Sequence, residues 1–379
     1  MNATRFQPPD RLLLGPGPSM VHARVLAAMS QPLVGHLDPA FLELMEETKS
    51  LLRQVFQTTN PLTFPISGTG SAGMEACLVN LLEEGDEALI CVNGEFGRRM
   101  ADIAERCRAR AVTVDLPWGS AVSPDDVRAG LARCKRPKLV AVVHAETSTG
   151  AWSPIGEIGP VVRAADALFL VDAVTSLGGC PVKIDEWEVD ACYSGTQKCL
   201  SCPPGLAPVT FGPRAIEAIR ARRSKVASWY LDLTMIEKYW GEERVYHHTA
   251  PISMNYALAE ALRIVLDEGL EVRFDRHRRH HLALVAGLEA LGFRMLVEPG
   301  RRLWMLNSAF VPEDIDEAQL RRRLLADYGI EVGGGLGPLK GKIWRVGLMG
   351  TSSTIGLVTL FLSAIQDALE SQPAKLSAS

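Results

Sequence analysis

The chain has 379 residues with 40 basic and 44 acidic side chains, a formal net charge of −4 and 47% hydrophobic residues. That length buries a full core and suits about two domains at ~150 residues each. The slight negative charge, without a lysine-rich run, argues against nucleic acid or an anionic membrane as the main partner, and no stretch reaches the ~18 consecutive apolar residues of a membrane-spanning helix.

The opening MNATRFQPPDR has no apolar core before a cleavage site and so does not read as a secretory signal. Residues 1–20 are rich in proline and glycine, end in Gly15-Pro16-Gly17-Pro18-Ser19, and predict an arm laid over the body or over a partner subunit. Val21 to Met29 reads as a helix. A loop, Leu33 to Pro39, follows, in which Asp38 and Pro39 suit the cap and first position of an amphipathic helix Ala40 to Phe56.

Ser67-Gly68-Thr69-Gly70-Ser71-Ala72-Gly73 then opens a helix from Met74 to Leu82. A glycine-rich turn at a helix N-terminus offers free N–H groups and a positive dipole end to a phosphate. The turn also fits G-x-G-x-x-G of dinucleotide-binding domains, which need an acid at the end of the next strand to hold a ribose hydroxyl. That strand, Glu87 to Val92, ends on Asn93-Gly94, with Glu95 one residue beyond. Phe96 opens a helix Arg98 to Cys107 and suits either a flat wall for an aromatic ligand or a core position. Lys138 to His144 is the next apolar strand, followed by Ala145 to Gly150, where Ser148 and Thr149 also suit bonds to their own backbone.

The chemistry concentrates between Ala167 and Gly205. Ala167 to Val171 reads as a strand buried on both faces and ends on Asp172, at the edge where open α/β sheets bind ligands. A second short strand, Asp190 to Ser194, opens into Gly195-Thr196-Gln197-Lys198. Burial lowers a lysine's pKa and makes it an amine nucleophile towards a carbonyl. An acid on one strand end and a lysine on another are the minimal apparatus of a pyridoxal phosphate site, with the lysine forming the Schiff base and the acid pairing with the pyridinium nitrogen. Cys199 and Cys202 lack the second pair that zinc needs and the context of a redox motif.

The alternation of strands and helices up to this point predicts a mostly parallel sheet with helices on both faces. Beyond Phe211 come Trp229 to Asp232, a helix through Trp240, and the segment Val245 to Pro251, leading into an amphipathic helix from about Ser253 to Gly269. His247 and His248, adjacent in an extended segment, are expected on opposite faces, and His277, His280 and His281 on a solvated helix face, so no metal site is expected. The boundaries expected are an arm 1–20, a large domain 21–252, and a smaller α+β domain 253–379 that includes a linking helix. In the last, Lys342 to Gly347 is a strand carrying Arg345, whose fork suits a carboxylate, or else an internal salt bridge. Eight cysteines, mostly inside apolar patterns, predict a reducing, cytoplasmic setting. Ala374-Lys375-Leu376 is similar to a peroxisomal address but is not terminal.

LLLGPGPS, SGTGSAGMEA, HAETSTG, LVDAVTSLGG, YSGTQKCLSCPPG, YHHTAP and GGGLGPLKGKIWRVGLMG follow one another in the order of a known family's blocks. The chain resembles, nearly end to end, the class V, fold type I aminotransferases of the alanine-glyoxylate and serine-glyoxylate group. The resemblance implies that fold, pyridoxal 5'-phosphate, and amino transfer from alanine or serine to glyoxylate. It implies Lys198 and Asp172 as catalytic residues, Thr69, Gly70 and Ser71 as the phosphate cup, and Gln197 as a further cofactor contact. Phe96 would stack on the ring where the family commonly has tryptophan, and Thr147 would bond the phenolic oxygen. Tyr246 and Thr249 would reach the phosphate of the neighbouring subunit, which implies a homodimer. Gly35 and Arg345 would border the substrate, an amino or keto acid.

Within the same fold, cysteine desulfurases need a nucleophilic cysteine in the C-terminal half, and none follows Cys202. Ureidoglycine-glyoxylate aminotransferases resemble the chain closely, including VKIDEWEVDA and GKIWR, but tend to carry asparagine where Tyr246 stands. A nicotinamide dehydrogenase leaves Lys198 without a role, and a non-catalytic binding protein leaves the whole constellation without one.

Overall fold

The computed structural model describes residues 5–370, so the tripeptide Ala374 to Leu376 lies outside the described residues. In chain order come Leu12–Leu13 (β1), Ala23–Met29 (α1), Pro39–Phe56 (α2), Leu62–Ser67 (β2), Gly70–Leu81 (α3), Glu87–Val92 (β3), Glu95–Arg106 (α4), Arg110–Asp115 (β4), Pro124–Leu131 (α5) and Pro137–Val143 (β5). Ala145–Glu146 (β6), Ala151–Trp152 (β7), Ile155–Ala164 (α6), Leu168–Asp172 (β8), Ala191–Tyr193 (β9) and Leu206–Phe211 (β10) follow. Next are Pro213–Arg220 (α7), Leu233–Trp240 (α8), Ile252–Glu268 (α9) and Leu270–Ala290 (α10). The last group is Arg294–Met295 (β11), Leu306–Phe310 (β12), Glu317–Tyr328 (α11), Ile330–Glu331 (β13), Gly333–Gly334 (β14), Ile343–Gly347 (β15) and Ile355–Glu370 (α12).

Seven strands form the main sheet in the order β2-β10-β9-β8-β5-β3-β4. Strand β10 runs antiparallel to both neighbours and the remaining pairs are parallel. Strands β3, β5 and β8 are apolar runs because both their faces are covered. Ala88, Ile90 and Val92 point into one core and Leu89 and Cys91 into the other, as the period of two requires. The aligned strands therefore open at one common edge, where Ser67, Val92, Val143, Asp172 and Tyr193 end their runs. The loops at that edge carry the candidate chemistry.

The second sheet, β11-β12-β15-β14, shares a core with α10, α11 and α12. Part of the N-terminal arm is built into this unit: β1 pairs in parallel with β13, and Leu14 lies in its core. Helix α9 buries Ala257, Leu258, Ala261 and Leu262 in the core of the large sheet. At α2 the local cap forms as its sequence predicts, with Asp38 Oδ1 accepting the Ala40 N–H at 2.9 Å. Among the described residues, no helix is long and apolar enough to cross a membrane.

Two expectations about histidines are corrected. The α10 histidines are not a solvated face: His277 and His281 are buried, with Arg273 one turn before His277. Arg273 donates to the carbonyls of Gly178 at 2.8 Å and Cys199 at 2.6 Å, and His277 Nε2 accepts the Gly350 N–H at 3.0 Å. This polar stripe pins α10 to loops from distant parts of the chain. His247 and His248 do not point apart either, since their Nδ1 atoms lie 2.8 Å from each other, because the segment is irregular and bends at His248 instead of running extended.

Candidate active site

Lys198 lies in the loop between β9 and β10 and is 8% exposed. The N-terminal segment closes over it. Lys198 Nζ donates to the Pro16 carbonyl, the Ser19 N–H donates to Gln197 O at 2.9 Å, and Ser19 Oγ donates to Lys198 O at 2.8 Å. A Cβ on Gly17 would lie 2.8 Å from Lys198 Nζ, and Gly17 has a φ of +108°, so the approach and the backbone both require glycine. Burial first, and then the Arg345 cation, push the lysine down to about 8, so a neutral amine is within reach near neutral pH.

Asp172 sits at the tip of β8, buried. Its Oδ1 accepts the Val174 N–H at 2.8 Å and its Oδ2 accepts the Tyr193 hydroxyl at 2.7 Å. Burial pushes its carboxyl up to about 6, while these two donors and the Lys198 and Arg99 cations pull the other way. At neutral pH it is an anion held on two donors.

Helix α3 starts at Gly70, four residues before the predicted Met74, so the glycine turn supplies the helix's own first turn. Thr69 is its N-cap but makes no side-chain cap bond, and first-turn amides have no intrahelical acceptor. A Cβ on Gly70 would lie 3.3 Å from Val174 and 3.6 Å from Gly195, which puts this turn directly against the residues beside Asp172 and Lys198. Arg99 of α4 donates to Ser71 Oγ at 3.1 Å, and its guanidinium lies 5.1 Å from the centre of the Phe96 ring. Phe96 itself, in the first turn of α4, is half-buried against the main core. Thr147 is buried with its hydroxyl bonded to that of Thr175, and Gln197 Oε1 is buried with no partner.

Arg345 crosses from β15. Its Nε donates to Gly334 O at 2.8 Å and its Nη1 to Thr147 O at 3.2 Å. Among the described residues it forms no ion pair, so the internal salt bridge is not what occupies it. Burial lowers it to about 10, the field of Glu146 raises it, and it stays a cation at neutral pH. The thiols of Cys199 and Cys202 are pushed up to about 12 by burial and stay protonated.

The structure thus brings Thr69, Gly70, Ser71, Phe96, Thr147, Asp172, Gln197, Lys198 and Arg345 to one edge. It does not bring Gly35, Tyr246 or Thr249 there. Gly35 is exposed, and a Cβ on it would meet nothing nearer than the Asp38 nitrogen at 4.0 Å. Tyr246 and Thr249 are exposed too, with the Tyr246 ring 5.1 Å from that of His36. Sequence reasoning missed Tyr193, Arg99, Glu146 and the Pro16 to Ser19 clasp. For Glu146 a signal existed: it stands three residues beyond an apolar strand, as Asp172 ends one, and β5 and β8 pair with Val143 opposite Asp172.

This donor set suits pyridoxal phosphate. The free hydroxyl and amides of Thr69 to Ser71 suit a phosphate, the anionic Asp172 a protonated ring nitrogen, and the Lys198 amine an aldehyde. A dinucleotide domain does not fit, because its glycine turn joins two strands that lie side by side. Here β2 is flanked only by the antiparallel β10 and lies far across the sheet from β3.

A model of the family described as aminotransferase class-V matches residues 12–341. The (S)-ureidoglycine–glyoxylate transaminase of Bacillus subtilis (strain 168) is 43% identical over 95% of this chain and 91% of its own length. An alanine–glyoxylate aminotransferase of Callithrix jacchus is 40% identical over 97% of this chain and 89% of its own. Among solved structures, an alanine–glyoxylate aminotransferase from Nostoc sp. superposes with a TM-score of 0.95 at 50% identity, covering 97% of this chain and 98% of that one.

Proposed function

The chain belongs to the class V aminotransferases and is a pyridoxal-phosphate enzyme, and we propose that it carries the amino group of alanine or serine to glyoxylate, giving glycine and the matching keto acid. The observation that carries the chemistry is a buried lysine held near pKa 8 between a buried aspartate and an arginine that forms no ion pair among the described residues. When bound, pyridoxal phosphate supplies a carbonyl carbon for amines and a ring that draws electrons from the substrate's α-carbon. Lys198 Nζ would hold the aldehyde, and as a neutral amine it would accept a proton from the substrate's α-carbon and give it back. Asp172, fixed by Val174 and Tyr193, would keep a proton on the ring nitrogen. Arg345 turns its free edge to the substrate carboxylate, and its field helps keep Lys198 neutral. Thr69, Gly70 and Ser71 would hold the phosphate, Phe96 would stack on the ring, Thr147 would bond the phenolic oxygen, and Gln197 would add a polar contact.

The working unit in this reading is a homodimer in which Tyr246 and Thr249 reach the partner's phosphate and Gly35 borders its substrate pocket. Their exposure in the single chain supports that. Eight free cysteines support a reducing, cytoplasmic setting. A second donor, ureidoglycine, is favoured by the 43% identity with the Bacillus subtilis transaminase and opposed by the bulk of Tyr246. The test is the visible spectrum of the purified holoenzyme, with L-alanine, L-serine or (S)-ureidoglycine added in turn without keto acid. The reading expects alanine or serine to bleach the band fastest and glyoxylate to restore it with release of glycine. Fastest bleaching by ureidoglycine would select the second donor. A protein that takes up no cofactor, with or without Lys198→Ala, would sink both.

A further inference from the structure

Beside the pocket lies an acid that the proposed chemistry does not use. Glu146 is fully buried, on β6 just past the end of β5. Its Oε1 accepts the Ser148 N–H at 3.0 Å and the Ser148 hydroxyl at 2.6 Å, while its Oε2 is buried with no hydrogen-bond partner. The group is wedged under the first turn of α4: a Cβ on Gly94 would stand 2.4 Å from Glu146 Cδ, and Ser148 Oγ accepts the Glu95 N–H at 3.0 Å. Gly94, the N-cap of α4, makes no side-chain cap bond, so this carboxyl and Ser148 serve that helix end from outside.

Two charged groups and one backbone amide, from three elements, face Glu146. Arg345 on β15 is held on the carbonyl of Thr147, the very next residue, and Glu146 is the charge that acts on it. Asp172 on β8 opposes a second anion, and the Phe96 amide at the start of α4 favours one. Burial above all pushes Glu146 up to about 7, so its two protonation states lie close together near neutral pH.

We propose that Glu146 is the resident counter-charge of Arg345 and yields to the substrate, taking a proton from solvent onto Oε2 when a substrate carboxylate docks on the guanidinium. This rests on Arg345 as the carboxylate holder of the proposed function. Two carboxylates around one guanidinium, away from water, cannot both stay charged at low cost. One anion and one proton enter together, so the charge of the site is unchanged. The sign follows. Below the window Glu146 is already neutral and Arg345 is fully available. Above it each binding event must carry a proton in, and affinity falls by up to about tenfold per pH unit. Glu146 is thus a positioning residue whose charge sets how tightly carboxylate substrates bind.

The experiment is calorimetric titration of the holoenzyme with glycolate, a two-carbon carboxylate with no amine or carbonyl to react, between about pH 6 and 9. The wild-type chain is expected to show a Kd flat below about pH 7 and rising above it, with about one proton taken up per site at the alkaline end, read from buffers of different ionisation enthalpy. An infrared difference spectrum should gain a protonated carboxyl band. Glu146→Gln should bind with a flat Kd, no uptake and no new band. A wild-type Kd that does not change with pH overturns the proposal, as does Glu146→Gln keeping the wild-type slope. If Glu146→Gln does not fold, the wild-type carboxyl band alone decides, and its absence overturns the proposal. Arg345→Gln binding glycolate as tightly as wild type would instead sink Arg345 as the carboxylate holder, a failure that a pH-flat wild type does not produce.

Discussion

Two halves of the proposed site are built differently. At the edge of the main sheet, Asp172, Thr147, Lys198 and Arg345 are all buried, and each is fixed by hydrogen bonds from this chain: Val174 and Tyr193 on Asp172, Thr175 on Thr147, Pro16 on Lys198, Gly334 and Thr147 on Arg345. On the loops around residues 229–249, Trp229, Tyr230, Val245 and Tyr246 are exposed, Tyr246 by 56%. There the rings lean on one another, with Trp229 stacked on His247 at 4.6 Å. A fold can preorganise what it buries, but contiguous exposed aromatic surface has nothing of its own chain to complete it. The first half should respond to substitution in chemistry, the second in cofactor retention and assembly.

The largest effect expected is at Lys198. Lys198→Ala removes the group that moves the α-proton, and proton transfer of this kind contributes about 10²–10⁴-fold, so amino transfer should fall by at least that much. The single half-reaction, followed by absorbance, measures it, and a rate within tenfold of wild type would break the account of the buried half. Arg345→Gln comes next. Losing one partner of a buried charge pair costs about 2–5 kcal/mol, so KM for glyoxylate should rise by about 30-fold to a few thousand-fold. The proton step at Lys198 should survive in saturated enzyme, and a fall in kcat alone would place the arginine in the wrong role.

The same half carries a stability prediction, with its sign set by burial. Lys198 titrates near 8 in the folded chain against 10.5 as a free lysine. Between those values the unfolded chain holds a proton the folded one has shed, so stability rises with pH across that window. Below pH 8 both forms are protonated, and the folded chain bears the whole burden of a buried ammonium, about 3 kcal/mol. In cofactor-free protein, Lys198→Met should therefore raise the denaturation midpoint at pH 7 and lose that gain towards pH 10.5. An equal gain at both ends would mean that burial is not what holds the lysine down.

What could be read in advance follows the same division. Strands β3, β5 and β8 are continuous apolar runs, β8 closed by Asp172 and β3 followed by Asn93-Gly94, so their limits were legible to within a residue or two, and the glycine turn after β9 made Lys198 legible as well. Arg273, His277 and His281 were not. Their i, i+4 spacing marks a face, but polar residues on a face normally mean water, and their partners at Gly178, Cys199, Gly350 and Asn307 lie far off in sequence. The close pair His247 and His248 was hidden because a bend at His248 cancels the alternation that an extended segment would impose. Glu146 was visible as a residue but not as a buried one, since what buries it is the first turn of α4, beginning at Gly94.

The smallest expected effect tests the exposed half. Hydrogen bonds to a charged group contribute about 1.5–3 kcal/mol, so each of Tyr246→Phe and Thr249→Val should by itself weaken cofactor retention by about 10- to 100-fold while leaving Lys198 and Asp172 intact. If those residues serve the partner's phosphate, mixing matters more than either variant alone. A chain with Lys198→Ala has sound loops and no lysine, and a chain with the loop substitutions has a sound lysine. In a mixed dimer one site combines the sound lysine with the sound loops and the other combines both defects. Unfolding and refolding the two variants together should therefore recover tight cofactor binding at one site per mixed dimer, read by retained visible absorbance after gel filtration. Recovery no greater than the average of the two variants would mean that Tyr246 and Thr249 act within their own chain or not at all, and the contrast between a half finished at home and a half finished by a partner would fall.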